Sequence, residues 1–146
     1  MAGAGIDSKL RLSLREGGIY YFEHRHITSP KPHYFIVVNS DPLTQQVLLL
    51  SVVTSKVADV KLRRKACPET LVELGPDIFD VLTEPSIVDG NDLKQIPLVE
   101  FNARFVRKEI HYFEKDLPAA LRKALRKAIH ASAIVSAEVK ALVARP

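Results

Sequence analysis

Apolar and polar positions change their period along the chain, and each change marks an element. Gly17 and Gly18 open "GGIYYF", whose β-branched and aromatic residues predict a strand. "HYFIVVN", from His33 to Asn39, is apolar almost throughout, as a buried strand is, and Ser40 to Pro42 end it as a turn. "QQVLLLSVVTS" repeats that pattern as far as Ser55. Three strands within roughly forty residues leave no room for crossover helices, so they should pair as antiparallel neighbours.

Beyond Ser55 the pattern loosens. "KVADVKLRRKACPETLVEL" is charged and irregular, which predicts a long connection holding at most a short helix or hairpin. "EPSIVDGNDLKQIPLVEF" predicts two short strands around the turn signal Asp89 to Asp92. "ARFVRKEIHYF", with Phe105, Ile110 and Phe113 apolar, predicts a last strand. Near the start, Leu10, Leu12 and Leu14 alternate like a strand, whereas Asp7 suits the cap of a short helix.

Helical spacing is strongest at the end. Leu117, Leu121, Leu125, Ala128 and Ile129 recur at steps of three and four, with Arg122, Lys123, Arg126 and Lys127 towards the other side. Asp116 is the expected N-cap, Pro118 falls in the first turn, and a break is expected near Ser132 or Ser136. Strands first and a helix last predict a mainly β fold with a C-terminal α element: a small antiparallel barrel or strongly bent sheet carrying an amphipathic helix. The expected division is an extension over residues 1–13, a barrel domain over 14–114, and a helical appendage over 115–146 packed on the barrel.

The totals narrow the classes. A chain of 146 residues, 47% apolar and 26% charged, suits one globular domain and excludes a disordered one. No apolar run approaches the roughly 20 residues that span a bilayer, and the N-terminus lacks a secretory pattern, so no membrane association is expected. The single cysteine, Cys67, offers neither an internal disulfide nor a thiol pair for structural zinc, and a cytoplasmic setting is the simple expectation. Residues 104–146 hold ten Lys and Arg against four Asp and Glu, whereas residues 1–103 hold eleven against thirteen. A basic C-terminal part can attract an anionic partner, nucleic acid above all, or can simply be a solvated helix face.

Candidate chemistry concentrates in "YYFEHRHITSPKPHYF", which holds His24, His26 and His33 beside Arg25 and Lys31. Attack of a ribose 2′-OH on the adjacent phosphate needs a base, an acid and a cation, and imidazoles with a Lys or Arg supply all three without a metal or cofactor. The same residues also make an ordinary polar loop. With Glu23 they make a weak His-x-His zinc pattern. "KLRRK" adds Lys61, Arg63, Arg64 and Lys65, which can track phosphates or face water. His111 and His130 read as structural or surface residues.

The order of these motifs resembles the PemK/MazF family, toxins of bacterial toxin–antitoxin pairs. "GGIYYF" stands for the family's "GDI" strand, "KPHYFIVVN" for its "RPxxVVSN" strand, Thr54 and Ser55 for a strand end in Thr-Ser, and "SIVDGNDLKQI" for its late "SxxxCDxIxxI" motif. The resemblance covers residues 14–113. It implies an SH3-like barrel, an endoribonuclease activity on single-stranded RNA, an acidic antitoxin-like protein partner and a homodimer. Lys31 replaces the leading Arg of the Arg-Pro pair. Asp89 and Asn91 replace the Arg and Asp that flank the late Cys, and Gly90 replaces that Cys. A cation and a carboxylate base are thereby lost. The acid–base work would fall to His24, His26 and His33, with Thr54 and Ser55 lining the groove and Arg25, Lys31, Lys61, Arg63, Arg64 and Lys65 on phosphates. The alternative is a catalytically silent barrel that binds nucleic acid or a protein partner.

Overall fold

Six strands form one antiparallel sheet: β1 (Ile19–Phe22), β2 (His33–Val37), β3 (Val47–Thr54), β4 (Leu71–Leu74), β5 (Ser86–Pro97) and β6 (His111–Phe113). The computed structural model describes residues 5–24, 31–76, 82 and 84–146. The order across the sheet is β4-β5-β3-β2-β1-β6, so the described strands end at β4 on one side and β6 on the other. Helices are α1 (Ser8–Ser13), α2 (Pro42–Gln45), α3 (Val57–Arg63), α4 (Leu98–Val106), α5 (Ala119–Ala131) and α6 (Ala137–Lys140).

β1, β2 and β3 pair as antiparallel neighbours, with Tyr21 opposite Tyr34 and Phe35 opposite Val52. The turn expected after Asn39 is a one-turn helix, α2. Asp41 accepts a hydrogen bond from Thr44 N at 3.3 Å to start it. Gln46, left-handed at φ 60°, ends it. At the N-terminus helix wins over strand. Asp7 Oδ1 accepts from Lys9 N and Leu10 N, and helical spacing buries Leu10 and Leu14 while Leu12 stays 79% exposed.

Three expectations are corrected. β5 is a single strand of 12 residues, not two pieces around a turn. The Asp89–Asp92 signal shows itself as a bulge instead: Val53 faces Val88 but Ser51 faces Leu93, so two steps on β3 span five on β5. The segment entering the last strand is helix α4, because Leu98, Phe101 and Phe105 recur at three and four residues and pack inward after Pro97. Only His111–Phe113 remain strand. Finally, α5 starts from Pro118 rather than from Asp116, whose carboxylate accepts from Arg15 Nε at 2.6 Å.

Strand alternation divides the core between two faces. Ile19, Ile36, Leu49, Val53 and Val88 meet Leu125, Ala128 and Ile129 of α5. Tyr20, Phe22, Phe35, Leu48 and Leu50 meet Leu10 of α1 and Phe101 of α4. The chain breaks after α5 at Ser132 and resumes at α6, where Ser136 accepts from Val139 N. Three layers result, with the sheet in the middle.

Candidate nucleic-acid interface

Antiparallel pairing brings the start of β2 beside the end of β3. Extending the Phe35–Val52 register by two residues sets His33 level with Thr54. α3 begins two residues after Ser55 and packs on β5, with Arg64 at its C-cap reaching Asp89. Between them lies a groove of about 960 Å³. Lys31, His33, Thr54, Ser55, Arg63 and Arg64 all line it, although they come from segments far apart in sequence. Among its charged lining residues, Lys31, Lys56, Arg63, Arg64 and Lys94 outnumber Asp59, Glu84 and Asp92. The surplus is positive, and a concave wall concentrates its field on an anion.

Two tyrosines floor one end. Tyr21 and Tyr34 are cross-strand partners with ring centroids 4.6 Å apart, and Phe113 meets Tyr34 edge-on at 6.2 Å. On the opposite wall β5 contributes Asp92 and Lys94, paired at 3.0 Å. Neither the tyrosines nor this pair was among the residues expected from sequence. Tyr21 and Tyr34 carried a usable signal, since two tyrosines on adjacent antiparallel strands can meet across them. Lys94 carried none, because its approach depends on the path of β5.

The remaining expected residues are placed as follows. His24 sits on the α1–α4 face, its ring centroid 5.9 Å from Phe35 and 6.4 Å from Phe22. Alternation puts the His33 side chain in the row of Phe35, at the groove's rim. Its Nδ1 is buried and has no hydrogen-bond partner among the described residues. Arg25 and His26 lie outside the described residues. Lys61 pairs with Glu73 at 2.8 Å, and Lys65 is exposed beyond the end of α3. Among the described residues no three His, Cys, Asp or Glu gather as a metal site. His111 is exposed, and His130 Nε2 lies 3.1 Å from the Ala144 carbonyl.

Asp89 and Asn91 are buried and joined into one polar network. Asp89 Oδ2 accepts from Arg64 Nε at 2.9 Å, with Arg63 3.7 Å away. Asp89 Oδ1 accepts from Asn91 N and Nδ2 at 2.9 and 2.8 Å. Asn91 Nδ2 also donates to Thr70 Oγ1, and Ser132 Oγ donates to Asn91 Oδ1. Each of these buried groups is satisfied, as a low-dielectric site requires. Helix α5 covers this stretch of β5, with Ala128 against Gly90.

Fold and site together define a six-stranded antiparallel sheet flanked by helices, with a basic, tyrosine-floored groove at one end of its strands. No family model matches the chain, and no curated protein matches it. Among solved structures the fold is similar to an endoribonuclease in complex with its cognate antitoxin from mycobacterial species. The TM-score is 0.50 at 15% identity, over 80% of this chain and 90% of that one. No helix of the described residues is long and apolar enough to cross a membrane.

Proposed function

We propose that the protein is a PemK/MazF-like toxin-type protein whose sheet is of the SH3-like barrel kind and whose groove binds single-stranded RNA. The observation that carries this reading is the convergence of Lys31, Thr54, Ser55, Arg63 and Arg64 on one groove beside the Tyr21–Tyr34 pair. Cations spaced along a groove track phosphates, and tyrosine rings stack on unpaired bases, a combination that suits single strands better than a duplex. Lys61 and Lys65, on and just past α3, are further candidates for phosphate contacts, as is Arg25, which lies outside the described residues. The similar endoribonuclease is held with an antitoxin, and a basic groove equally suits an acidic segment of such a protein. A homodimer in the cytoplasm, built from a barrel and a C-terminal helical appendage, completes the reading.

Fluorescence anisotropy with labelled single-stranded RNA tests it. Wild type should bind, and Lys31→Ala with Arg63→Ala should weaken binding at least tenfold, as lost phosphate contacts do. Equal binding by the double variant would contradict the groove assignment.

A second reading is cleavage, favoured by the place of His33 in the lining of the same groove as Thr54 and Lys31. Asp89 is engaged with Arg64 and Asn91, so acid–base work falls to His33, which would take the 2′-OH proton as base and return it to the leaving 5′-oxygen as acid. A long single-stranded RNA in EDTA should be cut by wild type and by His24→Ala but not by His33→Ala. RNA left intact by wild type would remove the enzymatic reading and leave the binding one.

A further inference from the structure

We infer that Asp89 is a positioning residue for the groove: its buried carboxylate holds Arg64 in place so that the guanidinium's free edge faces an RNA phosphate. The inference rests on the RNA-binding reading and adds to it the device that orients one of its cations. Asp89 is 5% exposed and sits in the bulge of β5, whereas Arg64 caps α3 and lines the groove. The contact at 2.9 Å uses Arg64 Nε, and among the described residues it is the side chain's one polar contact. The two terminal nitrogens, with four N–H donors, therefore remain for a ligand. A guanidinium bound at Nε keeps its planar fork, which matches two phosphate oxygens.

The carboxylate is itself fixed. Both of its oxygens are committed, Oδ2 to Arg64 and Oδ1 to Asn91, and Asn91 is held in turn by Thr70 and Ser132. A long flexible Arg loses much of its rotamer freedom when it grips a phosphate, and a preset Arg has already lost it. Arg63, 3.7 Å from the same oxygen and 55% exposed, shares the field of Asp89 but keeps its freedom. Two cations around one buried anion leave the cluster with a net positive charge toward the groove.

Asp89→Asn is the informative substitution. In the amide one of the two oxygens becomes an NH2 donor, so either Arg64 Nε or the Asn91 donors face a donor where they now meet an acceptor. Two measurements on the full chain decide the matter. In side-chain ¹H–¹⁵N spectra, Arg64 Nε–H should give a resolved, exchange-protected signal in wild type that moves to the free-arginine position in Asp89→Asn. In RNA titrations, Asp89→Asn should lower affinity by about tenfold in the wild-type background and by less than about twofold in an Arg64→Ala background, since coupled residues are not additive. An Arg64 signal unchanged by Asp89→Asn, or losses that add in the double variant, would overturn the inference. Should wild type bind no RNA while the Arg64 signal still collapses in Asp89→Asn, the groove ligand is wrong and Asp89 orients Arg64 for nothing, which overturns the role assigned to it here. A fold control by far-UV circular dichroism accompanies each variant. If Asp89→Asn does not fold, Arg64→Lys serves the same comparison: it keeps the charge, loses the Nε contact, and should lose affinity nearly as far as Arg64→Ala.

Discussion

A Cβ on Gly90 would stand 3.1 Å from the carbonyl carbon of Ala128, so strand β5 and helix α5 meet at backbone distance. The same atom would lie 2.8 Å from the Thr70 carbonyl oxygen. Neither neighbour is the end of a flexible side chain, so neither can yield cheaply. Gly90→Ala should therefore destabilise the fold by about 1–3 kcal/mol, the usual cost of overpacking a close contact. Urea denaturation of the variant checks this, and a midpoint equal to wild type would show that α5 can shift without cost.

The phosphate contacts should be visible in salt dependence. Lys31→Ala and Arg63→Ala should each reduce the slope of log affinity against log salt by about 0.7 for single-stranded RNA. Lys9, exposed on α1 at the other face of the sheet, is the control and its replacement by Ala should leave the slope alone. Equal slopes for all three variants would mean that RNA lies elsewhere on the protein.

How far the site was legible depends on how local its parts are. β1 to β3 were readable because each is a short apolar run bounded by Gly, Pro or Ser, and their pairing follows from the short connections. With that hairpin order, Lys31, His33, Thr54 and Ser55 had to fall at one end of the sheet. α4 carries two signals at once: Phe105, Ile110 and Phe113 have the look of one strand, while the helical steps from Leu98 to Phe101 to Phe105 begin before it, in what reads as a separate segment. β5 reads as two pieces in sequence because Asp89–Asp92 has turn composition, and a bulge uses the same residues without reversing the chain. Asp116 is a good cap in isolation, but Arg15, distant in sequence, claims its carboxylate. Long-range partners of this kind, like the approach of Arg64 to Asp89, leave no local trace.

Alkali should find a specific weakness. Burial pushes the phenol of Tyr20 well above the usual tyrosine range, and its hydrogen bond with Ser13 acts the other way without cancelling the shift. A folded-state value above the unfolded one means that stability is whole below about pH 10, the unfolded tyrosine value, and declines as pH rises beyond it. Melting temperature should fall more steeply above pH 10 in wild type than in Tyr20→Phe. Parallel curves would place the alkaline loss on other groups. At neutral pH the Phe variant loses about 1 kcal/mol with the hydrogen bond.

The most direct test of the central claim is to map where RNA touches the protein. Backbone amide shifts of the full chain, followed during titration with a short single-stranded RNA, should move most for Lys31, His33, Thr54, Ser55, Arg63 and Arg64, and little for Leu12 and Val99 on the outer helices. Shifts centred on α1 and α4, or none at saturating RNA, would contradict the groove as the binding site.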